Sequence, residues 1–282
     1  MSKKVLITGA TGFTGTHLKK ALSLDFDVAA CGRSELNLLD RERVVSFLKE
    51  ENFDVVIHTA VYDAAPEFST NNSDKVLEYN LRMFDNIAQC SSHYGMMIYF
   101  GSGAEWRREK PYGLSKYFMD QAAQNKDNIY NLRLYSVYGI GTDWRYRFIN
   151  NACAKVALGM KIAIPPIGKC DYLNINDLCR IVKHYIDNRQ KMPKSEDICS
   201  GNLLSPMEIV EYIKSVASVD GVVLHQGVSP TTSRAKSSKE DYFGNSDFVN
   251  SLPIALTSLK DGIKELVAFY EENRPNPKEF VY

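Results

Sequence analysis

The 282-residue chain has no excess of either charge, with 34 Lys and Arg against 34 Asp and Glu. A neutral balance gives no electrostatic capture of nucleic acid and none of a membrane surface, so neither partner is expected. No apolar run approaches the length of a membrane span. The opening "MSKKVLITGATG" turns glycine-rich too early for a signal peptide. The six cysteines, at 31, 90, 153, 170, 179 and 199, form no C-x-x-C pair. Reduced thiols and a cytoplasmic location are therefore expected. The five histidines are dispersed without an H-x-x-x-H, so no metal site is expected. No internal repeat or low-complexity linker interrupts the chain. What remains is 44% hydrophobic and 24% charged, long enough for one large domain or two small ones.

The stretch "KKVLITGATGFTGTHLKKAL" reads as strand, glycine-rich turn, helix. Gly9 permits a tight turn, Gly12 lets the backbone approach a diphosphate, and Gly15 lets the helix pack close to the strand. The N-terminus of that helix suits an anion. The spacing is G-x-x-G-x-x-G, and dinucleotide binding is expected, with Thr11, Phe13 and Thr14 in the loop contributing. A second strand, Phe26–Ser34, ends in Cys31, Gly32, Arg33 and Ser34 with no carboxylate to read a ribose hydroxyl. Arg33 is placed to pair with a 2′-phosphate, which favours NADP, with NAD as the alternative.

The pattern repeats. Helices are expected over 41–52, 73–95 and 112–125, and strands over 53–61, 96–103 and 129–139. Apolar strands alternating with amphipathic helices predict a parallel sheet with helices on both faces. Ligands of such sheets bind beyond the carboxyl ends of the strands. Gly9, Arg33, Ala60, Ser102 and Ser136 lie at or just after such ends, and Val61 follows Ala60. The stretch "PYGLSK" adds a phenol, Tyr112, four positions before an ammonium, Lys116, on one helix face. A nearby ammonium eases loss of the phenol proton and makes it usable in acid–base chemistry. The small hydroxyl of Ser102 lies ten residues upstream, on the same sheet edge as the glycine loop.

The stretches "GATGFTG", "DVVIHTAV", "YNLRMFDNIAQC", "YFGSGAEW", "YGLSK", "LRLYSVYG", "CDYLNINDL" and "SLKDGIKELVAFYEEN" resemble the extended short-chain dehydrogenase/reductases that modify nucleotide sugars. "GRSELNLLD" is similar to GDP-fucose synthase and related NADPH-using reductases. The resemblance implies that Ser102 hydrogen-bonds the reacting sugar oxygen, Tyr112 passes it a proton, and Lys116 holds the nicotinamide ribose. It implies that Asn80 fixes backbone near the site, that Leu39 and Asp40 lie near the adenine, and that Tyr135 and Val137 line the nicotinamide pocket. Ser136 stands where many relatives carry a substrate-binding Asn. A homodimer through the 73–95 and 112–125 helices is also implied.

Departures narrow the chemistry. GDP-fucose synthase epimerises before reduction with a cysteine, where Ala104 stands here, and a histidine, and no histidine appears in "IGTDWRYRFINN", whereas 4-epimerases need only the Ser, Tyr, Lys set and NAD. Sugar dehydratases place an acidic pair where Gly103 and Ala104 follow Ser102, and Glu105 comes one position late. The connection from Ser102 to Tyr112 is short and carries Arg107, Arg108 and Lys110, read as a solvated turn. Beyond about residue 165 the elements shorten. Helices are expected over 176–190 and 258–272, a strand, loop and helix over 197–218 with a capping start at Ser205–Glu208, and a polar loop over 228–248.

The expected architecture is thus α/β: a Rossmann-type doubly wound parallel sheet over 1–165, to which 176–200 returns, and a smaller substrate-binding cap over most of 166–282. A sugar nucleotide needs cations and an aromatic slot. Arg145 and Arg234 are candidates for the first, with Arg147, Lys155 and Lys169, and Phe148 and Tyr172 for the second, with Trp144. The expected activity is NADP(H)-dependent reduction of a keto group on a nucleotide-linked sugar. The alternatives are an NAD-dependent nucleotide-sugar 4-epimerase and a non-catalytic dinucleotide-binding sensor. The complete Ser/Tyr/Lys set argues against the sensor.

Overall fold

A computed structural model describes residues 2–64, 69–217, 224–225 and 240–280. The chain divides into two compact units, Met1–Leu134 with Cys179–Ile198, and Tyr135–Leu178 with Cys199–Tyr282. The first boundary falls at Leu134 rather than near residue 165. The segment between carries α5 (Phe148–Ala157), whose buried face packs with α7 (Pro206–Ala217) and α9 (Leu259–Glu272) in the core of the second unit.

The first unit alternates β1 (Lys4–Thr8), α1 (Phe13–Leu22), β2 (Asp27–Cys31), α2 (Arg41–Glu51), β3 (Phe53–His58), α3 (Val76–Ala88), β4 (Tyr94–Ser102), α4 (Pro111–Gln124) and β5 (Ile129–Leu134). The last strand, β9 (Ser195–Ile198), follows α6 (Ile175–Asp187). The sheet runs β2-β1-β3-β4-β5-β9 with every pair parallel. The α/β expectation is met: both faces of a parallel sheet are buried, so β1 and β3 read as near-continuous apolar runs. Val5, Leu6, Ile7, Val56 and Ile57 are fully buried, each contributing about 1.5–3 kcal/mol over exposure. The order reverses direction between β1 and β3, and that switch point is where such sheets open a crevice. Register places Thr8, Cys31 and His58 abreast there, and puts Ser102 beside Leu134 further along the same edge.

The expected 73–95 helix is shorter. A 3₁₀ turn covers Ser73–Lys75, α3 ends at Ala88, and β4 begins at Tyr94. The expected 129–139 strand is two strands. β5 joins the large sheet, and β6 (Ser136–Tyr138) pairs with β8 (Cys170–Asn174) in the second unit.

In the second unit, β10 (Leu203–Leu204), β8 and β6 form one small sheet, and β7 (Ile162–Ala163) pairs with β11 (Leu224–His225). α5, α7 and α9 bury Ile149, Ile213 and Ile263 together beside it, and α8 (Asp247–Ser251) is a short turn of helix. The Ser205 hydroxyl accepts the Glu208 N–H while the Glu208 carboxylate accepts the Ser205 N–H, so α7 starts with the expected reciprocal cap. Among the described residues no helix is long and apolar enough to cross a membrane.

Candidate active site

The glycine loop is shaped by two close approaches. Gly9 has φ +70°, and a Cβ there would lie 2.6 Å from the Ala60 Cα. A Cβ on Gly15 would lie 2.4 Å from the Gly9 carbonyl oxygen and 2.8 Å from the Ala10 Cα. These contacts seat α1 against β1 and close the switch point. Gly12 differs, since a Cβ there would meet only the Gly9 carbonyl, at 3.4 Å. Gly12 is also the N-cap of α1, with no side-chain cap and no acid in the first turn. Such an N-terminus suits a diphosphate.

A cavity of about 290 Å³ opens beside the loop. Gly9, Thr11, Gly12, Arg33, Leu39, Ala60 and Val61, all anticipated from the sequence, line it. Its size and its wall of glycines, aliphatics and Tyr62 and Tyr79 fit part of a dinucleotide. Phe13 and Thr14 open α1 outside that wall, and Phe13 packs edge-on against His17. Asp40 caps α2, its carboxylate accepting the Arg43 N–H at 3.1 Å. Asn80 is buried and engaged with backbone. It accepts from Tyr62 N and donates to Tyr62 O, both at 2.8 Å, and donates to Val76 O at 2.9 Å. Its role is to hold the segment after β3 that carries Ala60 and Val61.

Just past the end of β2 a carboxylate braces the turn. Glu35 folds back so that Oε2 accepts the Gly32 N–H at 2.8 Å and Oε1 accepts from Ser34 Oγ at 2.7 Å. The Ser34 hydrogen bond, then the Gly32 N–H, lower its pKa. The acid braces the turn from which Arg33 projects, exposed, at the cavity wall.

Pro111 opens α4 at a position that needs no N–H, and puts Tyr112 and Lys116 on successive turns. Gly113 makes the short connection feasible. A Cβ there would lie 2.4 Å from the carbonyl oxygens of both Ala104 and Arg107. Of the basic residues in that connection, Arg108 stacks 3.7 Å from the Tyr117 ring centroid. Lys116 is 5% exposed, and its Nζ donates to the Phe100 carbonyl at 2.7 Å and lies 5.7 Å from the Tyr112 ring centroid. Burial lowers its pKa to about 8, opposed by the charges of Glu105 and Asp63. Ser102, the buried last residue of β4, accepts the Ala104 N–H on Oγ at 3.1 Å. His58, at the end of β3, contacts Thr8 Oγ1 through Nδ1 at 2.9 Å. Burial, aided by Lys116, lowers its pKa to about 3, so it is neutral around pH 7 and no proton carrier there. Glu105 and Asp63 were not among the anticipated site residues.

The remaining candidates lie in the second unit. The Tyr135 ring lies tilted against that of Tyr242, centroids 5.1 Å apart, and Ser136 and Val137 pair with Tyr172 and Leu173. Tyr172 is 8% exposed and belongs to the core there, and Phe148 packs against the same cluster. Arg145 is held bidentately by Asp143, at 2.8 and 2.5 Å, on the wall of a cavity of about 680 Å³ that also includes Trp144 and Tyr270. Lys169 lies 3.6 Å from Glu208, and Lys155 5.4 Å from the Phe280 ring centroid. Arg147 is the N-cap of α5. Arg234 lies outside the described residues.

Comparisons with known proteins bear on the fold and the family. A curated relative, dTDP-4-dehydro-6-deoxy-D-allose reductase from Streptomyces sp, is 27% identical over 266 residues, covering 76% of this chain and 81% of the relative. Among solved structures, GDP-mannoheptose C4 reductase from Campylobacter jejuni with NADP bound superposes at TM-score 0.78 and 19% identity, covering 96% of this chain and 98% of that one. The Bordetella bronchiseptica enzyme WbmG in complex with NAD superposes at TM-score 0.79 and 15% identity, covering 96% and 95%. The family model described as NAD dependent epimerase/dehydratase family matches residues 5–201, and the chain belongs to that family.

Proposed function

We propose that the protein is an NADP(H)-dependent reductase of a keto group on a nucleotide-linked sugar. The observation that carries this reading is the buried Lys116, fixed to the Phe100 carbonyl two residues before Ser102 and one helical turn from Tyr112. A dinucleotide at the glycine loop would rest its diphosphate on the N-terminus of α1 and its adenosine end in the adjoining cavity, with Arg33 facing a 2′-phosphate. Bound NADPH supplies the hydride. The chain's own groups do the rest. Ser102 donates a hydrogen bond to the sugar carbonyl oxygen, and Tyr112 delivers the proton that this oxygen takes up. Lys116, as an ammonium, favours departure of that proton. The relatives that reduce keto sugars support the reaction class, the dTDP-4-dehydro-6-deoxy-D-allose reductase and GDP-mannoheptose C4 reductase among them.

At position 104, where the cysteine of GDP-fucose synthase would stand, Ala104 has no ionisable group, and the neighbouring Glu105 is buried against β4. The test is NADPH consumption by the purified protein with a panel of 4-keto-6-deoxyhexoses linked to dTDP and to GDP. Consumption with at least one of them is expected. Tightly bound NAD on purification, with interconversion of sugar epimers and no net NADPH use, would contradict the reading and favour the 4-epimerase.

A further inference from the structure

Glu105 is a buried acid at the third position of the 3₁₀ turn Gly103–Trp106 that follows β4. Its Oε1 accepts the Ser102 N–H and the Asn131 side-chain N–H, each at 3.2 Å. The Ser102 hydroxyl in turn accepts the Ala104 N–H, so the two side chains close a reciprocal cap over Ser102–Glu105. Because Oγ accepts the Ala104 N–H, the Ser102 hydroxyl proton is directed to a partner other than Ala104. The carboxylate fits against β4 only because residue 101 is glycine. A Cβ there would lie 2.3 Å from Glu105 Oε1 and 2.1 Å from Asn131 Oδ1.

The groups facing Glu105 come from every element around it. β4 contributes the buried phenol of Tyr99, and α4 contributes Asp120 and Lys116. β5 contributes Asn131 and Arg133. β9 reaches the cluster through Asp197 and Ser195, both bonded to Arg133. Asn131 also donates to Asp120 at 2.7 Å, while the Arg133 guanidinium lies 3.9 Å from Glu105 and from Asp120 and 2.7 Å from Asp197. One guanidinium thus faces three carboxylates, and the charge of Glu105 also acts on Lys116. A buried acid in a network that includes two of the reacting residues is costly as mere filler.

We propose that Glu105 is a positioning residue, whose ionised carboxylate sets the Ser102 hydroxyl and keeps Lys116 protonated, so that turnover requires its charge. This rests on the reading of Ser102 and Lys116 given above. Burial, reinforced by Asp120, raises the Glu105 pKa to about 7, which puts its charge change near neutrality and beside that of Lys116. Loss of the Glu105 charge weakens its hold on the Ser102 N–H and lets Lys116 lose its proton at lower pH.

The experiment compares wild type, Glu105→Gln and Asp120→Asn. One arm is kcat and KM against pH with NADPH and whichever 4-keto sugar nucleotide wild type reduces. The second is the pH dependence of NADPH affinity, by fluorescence titration of the protein without substrate. In wild type, kcat is expected to fall below pH about 7. Glu105→Gln keeps an acceptor for Ser102. It is expected to lose about tenfold or more in kcat with KM within about twofold, to lack the acid limb, and to shift the loss of NADPH affinity to lower pH. Asp120→Asn relieves Glu105 of a like charge and moves the acid limb to lower pH, which a purely structural role would not do. An acid limb unchanged in both variants, or a loss confined to KM, overturns the proposal. If Glu105→Gln does not fold, Asp120→Asn decides by the limb. If wild type reduces no probe, the reductase reading fails, and the NADPH arm still tests the link from Glu105 to Lys116: an unshifted profile overturns it.

Discussion

The Nζ of Lys116 donates a 2.7 Å hydrogen bond to the carbonyl oxygen of Phe100. That bond ties the helix carrying Tyr112 to the strand carrying Ser102, and it holds an ammonium that is 5% exposed and stabilised by the charges of Glu105 and Asp63. The same burial brings its deprotonation to about pH 8.

On the proposed role of Lys116, turnover should fall above pH about 8, as its ammonium loses its proton. A guanidinium stays charged to beyond about pH 12. Lys116→Arg should lower the plateau and remove the alkaline limb. A pH series of kcat for both proteins checks this.

The glycine loop separates two roles that glycine can play. Gly15→Ala would drive a methyl into backbone atoms at 2.4 and 2.8 Å, and should destabilise the fold by about 1–3 kcal/mol. Gly12→Ala meets only one atom, at 3.4 Å, and should cost under about 1 kcal/mol of stability. It should nonetheless weaken NADPH binding, because the methyl occupies the approach of the diphosphate. Urea midpoints and NADPH titrations on both variants distinguish the two effects.

Arg33 projects from the turn that Glu35 braces. Arg33→Ala should reduce NADPH affinity about tenfold or more and leave NADH affinity within about twofold, since only the former carries the 2′-phosphate. Equal losses for both cofactors would assign the arginine a structural role.

His58 gives a stability signal independent of any ligand. Its folded pKa, about 3, lies below the unfolded value near 6.5, so the unfolded chain takes up the proton first. The stability this group contributes is complete above pH about 6.5 and is lost as pH falls towards about 3. His58→Asn retains a polar neighbour for Thr8 without the titration. Its urea midpoint should decline less than that of wild type between pH 7 and pH 4, which matched denaturation series would show.

The parts that could be read from the sequence are those set by local periodicity. The three glycines, the apolar runs of β1 and β3, and the four-residue interval from Tyr112 to Lys116 each carry their meaning within a few residues. The break between β5 and β6 does not. Leu134 to Ser136 contains no glycine or proline, and only pairing partners far along the chain decide that Leu134 joins Ile198 while Ser136 joins Tyr172. Glu35 escaped because its carboxylate acts at Gly32 rather than where its backbone lies. Glu105 escaped because its partners Asn131 and Arg133 come from a later strand, which no spacing rule connects to Ser102.

The central claim is that Tyr112 delivers a proton to a sugar carbonyl oxygen while NADPH is consumed. The most direct measurement pairs NADPH oxidation with NADPH affinity in wild type and Tyr112→Phe, using the 4-keto sugar nucleotide that wild type reduces. A fall in turnover of about a hundredfold or more, with affinity within about twofold, is the predicted result. A phenylalanine variant that turns over as fast as wild type would contradict it.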